Sequence, residues 1–252
     1  TRKAPSKVIK TVFVDTVKNT SIPIIIPANG NLVAKRRVEI YSEVQGIFKP
    51  GSKLFKPGEK YQKNEAFISI NDTEYYANVQ LAKSNLYNSI AAVLADLRLD
   101  FPEVFLKWEA YLKSYDLNKP TPKLPKMVSE KENYFITGRS IVSNYYTVKN
   151  LEQRLSKYTI SAPFKGILTE ALVTEGTLIR SNQKLGEFID PSVYEMEVSL
   201  SKTFASLLDV GETVELNNLE HTKKYSGIVS RVNGSINSAT QTIAVYIEIK
   251  NS

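Results

Sequence analysis

Apolar and polar residues alternate along two stretches of the chain, residues 38–72 and 158–190. This period of two is typical of β-strands that bury one face. Turn residues interrupt both stretches, at Pro50-Gly51 in the first and at Gly176 in the second. The pattern predicts several short strands in each stretch.

The second stretch repeats the first. Equivalent residues lie 120 positions apart before the Pro50-Gly51 turn and 118 apart after it: Ile40/Ile160, Gly46/Gly166, Ile47/Ile167, Gly58/Gly176, Asn64/Asn182, Ile70/Phe188 and Asp72/Asp190. Neither half has enough apolar surface to form a core alone. We therefore predict one small β domain assembled from both halves.

Between the halves the hydrophobic period changes to that of an α-helix. An apolar stripe predicts a helix over Thr73–Leu99, an aromatic-rich pattern predicts a second over Pro102–Tyr115, and a capping box at Ser129 predicts a long third helix that ends near Ser156. The connector Asp116–Lys126 contains three prolines and cannot be helical throughout. Because both ends return to the same β domain, we expect an antiparallel helical hairpin with residues 102–126 at its distal end.

Composition narrows the possible functions. The chain has 42% apolar and 23% charged residues, which is typical of globular proteins, and no apolar run long enough to span a membrane. It contains no cysteine, which excludes disulfides and thiolate chemistry. The net charge of +7 permits attraction to an anionic membrane or nucleic acid, but a solvated lysine-rich surface is the favoured explanation.

No motif indicates catalysis. The single histidine, His221, lies in a polar stretch without a second soft ligand, and no glycine-rich phosphate loop or nucleophile motif is present. We therefore expect no catalytic residue, no metal and no cofactor. Basic and aromatic residues interleave around Trp108, but their helical spacing favours packing over stacking on nucleic acid, so no nucleic-acid partner is expected.

The motif Ile160-x-Ala162-Pro163-Phe164-x-Gly166 is followed by Gly176, and Gly46 and Gly58 mark its earlier copy. This pair of motifs resembles the split biotinyl-lipoyl-like domain of the membrane fusion proteins, the periplasmic adaptors of tripartite efflux pumps and type I secretion systems. The resemblance implies a mainly β fold with an inserted α-helical hairpin, namely a split lipoyl-like domain plus a β-barrel domain. Its expected parts are N-terminal strands joining the barrel or membrane-proximal region (1–37), the first lipoyl-like half (38–72), the hairpin (73–157), the second half (158–190) and a C-terminally incomplete barrel (191–252).

The resemblance also implies a function. It is that of a non-enzymatic adaptor that bridges an inner-membrane transporter to an outer-membrane channel and assembles as a trimer or hexamer. The expected location is the periplasm of a Gram-negative bacterium, with an inner-membrane anchor preceding the given sequence. The alternative is a biotin or lipoate carrier or accessory domain of a larger enzyme, although the hairpin replaces the turn where the modified lysine belongs.

Partner-binding residues are predicted at the end of the hairpin, since loops held on a rigid support concentrate binding residues. The predicted set is Tyr111, Lys113, Lys119, Lys123 and Lys126. The connector lacks the arginine, leucine and serine set with which efflux adaptors of this family meet a channel tip to tip. The predicted structural residues are Gly46, Gly58, Ala162, Pro163, Phe164, Gly166 and Gly176.

Overall fold

A computed structural model describes residues 10–19, 25–26, 28–51, 53–220 and 222–251. The helices are α1 (Thr73–Asp100), α2 (Pro102–Ser114), α3 (Glu130–Gly138), α4 (Ile141–Leu155) and α5 (Lys202–Ala205), and a 3-10 turn covers Ser156–Tyr158. The strands are β1 (Gly30–Tyr41), β2 (Gly46–Lys49), β3 (Lys60–Tyr61), β4 (Ala66–Ile70), β5 (Thr159–Ser161), β6 (Gly166–Ala171), β7 (Leu178–Ile179), β8 (Lys184–Ser201), β9 (Thr213–Asn217), β10 (Lys224–Asn237) and β11 (Thr242–Lys250).

The β-strands form two sheets. The first has seven strands in the order β3-β6-β8-β11-β10-β9, with β1 also paired to β8, and the second has four strands in the order β5-β4-β2-β7. Under the sequence repeat, β1 to β4 correspond to β5 to β8. The row β3-β6-β8-β1 of the first sheet therefore matches the row β7-β2-β4-β5 of the second, strand for strand. The predicted split β domain with an inserted hairpin is confirmed, and its two halves are related by pseudo-symmetry.

Hydrogen bonds between the two halves follow the same pseudo-symmetry. The amide of Gly58 donates to the carbonyl of Leu168 at 2.8 Å, and the amide of Gly176 donates to the carbonyl of Phe48 at 2.9 Å. Gly58 and Gly176 have φ of +93° and +83°, a backbone region that glycine tolerates and that residues with a side chain rarely adopt. The recurring glycines at these two turns are explained by that shared backbone conformation.

Gly46 and Gly166 recur for a different reason, which is close packing. A Cβ atom on Gly46 would lie 2.6 Å from Ile70, and one on Gly166 would lie 2.8 Å from the Phe188 ring and collide with the Ile189 carbonyl. Ile70 and Phe188 are themselves equivalent in the repeat. Each glycine therefore makes room for the same core position of its half.

The core of the split β domain draws on both halves. Phe48, Tyr61, Phe67 and Phe188 are buried in it, and the last two rings meet edge to face at 4.8 Å between centroids. Of the predicted motif residues, Ala162 and Phe164 are buried here, whereas Pro163 is exposed. The aromatic cluster explains how a domain of very short strands is stabilised.

Strands β1 and β8 continue beyond this domain into the sheet of the barrel region. Along β8, Phe188 pairs with Val38 in the split domain, and Val198 pairs with both Gly30 and Val245. A separate cluster that includes Val198, Val229, Val245 and Ile247 fills the barrel region. Both strands run across the domain boundaries predicted at residues 37/38 and 190/191, so the two regions share one antiparallel ladder. The exact boundaries stay a prediction.

Two sequence predictions differ from the structure. Of the N-terminal strands expected in residues 1–37, the described residues form one, β1 from Gly30, and residues 10–19 have no regular secondary structure. The long third helix is interrupted at Arg139-Ser140, where Ser140 has φ of 60°. Among the described residues, none of the helices is both long and apolar enough to cross a bilayer.

Candidate functional site

The helices form one unit with its own core. Helix α1 packs against α4 and α2, and its stripe Leu86, Ile90, Val93 and Leu97 is buried together with Trp108. Two ion pairs fix the direction of α4 relative to α1. Arg139, just before α4, pairs with Asp96 near the end of α1 at 2.9 Å, whereas Glu152, near the end of α4, pairs with Lys83 in the first half of α1 at 3.0 Å. The two long helices are therefore antiparallel, as predicted.

Helix α2 folds back along α1. The Tyr115 hydroxyl, just past its end, donates to the carbonyl of Lys83 at 3.3 Å, and its ring lies 5.9 Å from that of Tyr87. Farther on, the hydroxyl of Tyr76 reaches Asn118, although Tyr76 lies in the first turn of α1. The prediction that residues 102–126 lie at the distal end of the hairpin is therefore wrong. The segment returns towards the β domain because α1 offers a long apolar flank that α2 covers.

Residues 115–129, which we call the strap, link α2 to α3 without helix or strand. Side chains of the helices bind its main-chain carbonyls. Lys83 donates to Leu117 and Lys119, Tyr111 to Pro122, Lys107 to Lys126, and Lys149 to Thr121, over distances of 2.8 to 3.2 Å. Because the prolines cannot supply amide donors to a regular ladder, these side chains replace secondary structure in holding the strap.

Glu152 of α4 anchors the middle of the strap. One carboxylate oxygen accepts from the amide and hydroxyl of Thr121 at 2.8 and 2.9 Å and from Lys83 at 3.0 Å, and the other accepts from Lys149 at 3.0 Å. Burial alone would raise the pKa of Glu152, but these hydrogen bonds outweigh it and lower the pKa to about 2. The carboxylate is therefore charged at neutral pH and pairs with two ammonium groups.

Glu132 of α3 anchors the end of the strap. Its side chain is fully buried and accepts from Trp108 Nε1 at 2.9 Å, from the Val128 amide at 3.0 Å and from Lys107 at 2.7 Å. Burial would raise the pKa of Glu132, but these donors lower it below its ordinary value. The capping box at Ser129 also forms as predicted, because its hydroxyl accepts from the Glu132 amide at 3.1 Å.

The sequence analysis did not identify Glu132 and Glu152 as buried anchors. The signal for Glu132 was its proximity in sequence to an aromatic-rich helix that contains a tryptophan with an N–H to satisfy. No comparable signal pointed to Glu152, whose partners Thr121 and Lys83 lie 31 and 69 positions away.

The structure does not bring the five predicted partner-binding residues onto one face. Tyr111 is buried in the helical core and is only 6% exposed. Lys113 and Lys119 are exposed but pair with Glu109 and Asp116 of their own segment. Lys123 and Lys126 are exposed, and within the described part of the chain neither has a carboxylate within ion-pair distance.

Within the described residues, no group of three or more histidine, cysteine or acidic side chains is arranged to hold a metal ion. His221 lies outside the described residues. The strap on the helical unit, which Glu132 and Glu152 anchor, is the candidate functional site.

Comparison with known proteins gives no match to a family model. A cation efflux system protein, CzcB, from Alcaligenes sp. (strain CT14) is 22% identical over an alignment of 185 residues that covers 68% of this chain and 35% of that protein. The chain thus spans about a third of the length of this relative.

Solved structures agree on the fold. A MacA–MexA chimeric protein that contains the Pseudomonas aeruginosa MexA α-hairpin domain superposes with a TM-score of 0.63 at 16% identity, over 89% of this chain and 72% of that one. The membrane fusion protein Spr0693 from Streptococcus pneumoniae R6 superposes with a TM-score of 0.56 at 14% identity, over 88% of this chain and 89% of that one. The chain therefore has the fold of the membrane fusion proteins, as its split motif predicted.

Proposed function

We propose that this protein is a periplasmic adaptor that joins an inner-membrane transporter to an outer-membrane channel for efflux or secretion. The observation that carries the proposal is the position of the split β domain between two appendages. The helical unit leaves it through the β4–β5 connection, and the barrel region continues from it along the β1–β8 ladder. This arrangement suits a spacer that must reach two partners at once.

The proposal includes assembly into a ring. Like subunits that meet head to tail form a ring when the rotation between neighbours closes, and a closed trimer or hexamer of this chain would place the split β domains around a conduit. The N-terminal side would be anchored at the inner membrane. The name of the relative CzcB indicates a first class of substrates to try, which is metal cations.

The alternative, a biotin or lipoate carrier domain, has less support. The inserted helices occupy the connection between β4 and β5, which is the turn where a carrier lysine belongs, and this connection holds 28- and 15-residue helices instead of a short exposed turn. Intact-mass measurement of the protein purified from its host distinguishes the two functions, since a covalently bound cofactor adds its mass.

The adaptor function is tested by deleting the gene in its host and measuring survival with, and accumulation of, a panel of compounds. The panel contains cobalt, zinc and cadmium salts, dyes and detergents, and the secreted proteins are compared as well. The natural full-length protein should restore export. A variant without residues 73–157 should remain attached to the transporter but should not restore export. Unchanged export of every class in the deletion strain, or a cofactor mass on the protein, would overturn the proposal.

A further inference from the structure

The strap has a regular burial pattern although it contains no helix or strand. Thr121 is buried, and Leu124 and Met127 are half-buried against the helical core. Pro120, Lys123 and Lys126, each one position earlier, are all exposed. A period of three residues is that of polyproline II, which the prolines at positions 120, 122 and 125 favour. The strap therefore presents one face to the helices and another to solvent.

This outward face is held rigidly. The bonds from Lys107, Tyr111 and Lys149 to the strap carbonyls fix it at three points. Glu152 holds its middle, and Glu132 holds its end. Side chains on a support of this kind lose little additional backbone freedom when they bind, which favours affinity.

The charge of the outward face is uniform. Residues 117–127 contain three lysines and no aspartate or glutamate. Of these lysines, Lys119 pairs with Asp116 at 3.6 Å, which leaves Lys123 and Lys126 as the cations available to another molecule. With a rise of about 3.1 Å per residue, the two lie about 9 Å apart along the strap.

We propose that the outward face of the strap is a docking surface for an acidic helix of a partner protein. Carboxylates seven residues apart lie on one side of a helix and are separated by about 10.5 Å, which is close to the spacing of Lys123 and Lys126. Successive same-face residues of a strand are only about 6.8 Å apart. This surface lies on the flank of the helical unit and not at its distal end.

An anionic membrane is the competing partner for a basic surface. Sequences that bind such membranes through charge alone typically carry about four to eight basic residues, whereas this face offers two. The spacing and the small charge favour a protein partner.

The test places a photo-crosslinking amino acid at Pro120 of the natural full-length protein in its host. The double variant K123E/K126E should reduce the yield of the crosslinked partner by about tenfold or more, since like charges then face each other. The matched control K60E/K63E reverses two exposed lysines with the same spacing in the split β domain, for which no ion pair is found among the described residues, and should leave the yield unchanged. Equal Trp108 emission and thermal unfolding of the purified variants show that the fold is retained.

Specificity is established by charge exchange. Replacing the carboxylates at the crosslinked site of the partner by lysine should restore the crosslink to K123E/K126E and weaken it with the wild type. Three results would each overturn the proposal. They are an undiminished crosslink in K123E/K126E, an equal loss of crosslink in K60E/K63E, and the absence of a protein crosslink together with binding of the wild type to vesicles containing anionic phosphatidylserine that K123E/K126E loses. The proposal rests on the adaptor function only for the identity of the partner, because the crosslink is measured independently of transport.

Discussion

Replacing Glu132 by leucine should strongly destabilise the helical unit. The substitution removes the acceptor for the buried Trp108 N–H, which is 0% exposed, and leaves the Lys107 ammonium without its partner. An unsatisfied buried donor costs about 1–3 kcal/mol. Breaking a buried ion pair costs about 3–5 kcal/mol, but the side chain of Lys107 is 30% exposed and can turn towards water. We therefore expect the free energy of unfolding to fall by about 3–4 kcal/mol.

The matched variant is Glu132→Gln. Its amide oxygen can still accept from Trp108, but the charge interaction with Lys107 is lost and so is the bond from the Val128 amide, which then faces an NH2 group; we expect a decrease of about 2 kcal/mol. Trp108 is the only tryptophan of the chain. Its fluorescence during urea denaturation therefore reports on the helical unit alone, while circular dichroism reports on the whole chain.

The comparison of the two variants is what tests the reasoning. If Glu132→Leu unfolds within about 1 kcal/mol of the wild type, the carboxylate does not hold the strap against α2. If both variants lose the same stability, the hydrogen bond to Trp108 contributes nothing beyond the charge.

Three further predictions concern the rest of the chain. Gly176→Ala should lower the free energy of unfolding by about 1 kcal/mol, because residue 176 has a positive φ. Gly166→Ala should lower it by about 2–3 kcal/mol, because the new Cβ would meet the Phe188 ring. Equal shifts of the two variants in thermal unfolding would contradict these separate causes. Replacing residues 73–157 by a short Gly/Ser turn should leave a β protein that unfolds cooperatively by circular dichroism, since β4 and β5 are already paired; a non-cooperative melt would show that the helices belong to its core. The folded-state pKa of Glu152 is depressed from 4.5 to about 2, so its carboxylate stabilises the fold above its ordinary pKa and this contribution is lost as pH falls from about 4.5 towards 2. In urea titrations, Glu152→Gln should therefore be less stable than the wild type by up to about 3 kcal/mol at pH 7 and equally stable near pH 2. A difference in stability that does not depend on pH would contradict the assignment.

The β domain could be predicted because its sequence repeats. Gly58 and Gly176 occupy the same positive-φ turn, and Gly46 and Gly166 face the equivalent core residues Ile70 and Phe188. Such positions tolerate few residue types, so backbone geometry leaves a direct record in the sequence. A pattern of this kind shows which segments pair even when a long insertion separates them.

The course of the strap could not be predicted in the same way. Its carbonyls are bound by side chains such as Lys83 and Lys149 that are distant in sequence, and lysines of this kind are normally read as surface charge. The interruption of the third helix had a visible signal in Gly138, which lies inside the predicted span. Tyr111 was assigned to the exposed face because helical periodicity does not show on which side a returning helix packs.

The pseudo-symmetry of the β domain has a mechanical consequence. Asp72 and Asp190 are equivalent, and the helical unit departs after the first of them whereas the barrel region continues after the second. The helical unit and the barrel region thus leave the β domain at equivalent positions. The strand pair beside the helical unit is the short β4–β5 pair, whereas the strand pair that leads into the barrel region is the long β1–β8 pair. Because the β4–β5 pair has fewer paired residues, we expect it to open before the β1–β8 pair under a pulling force, which would keep the barrel region coupled to the β domain.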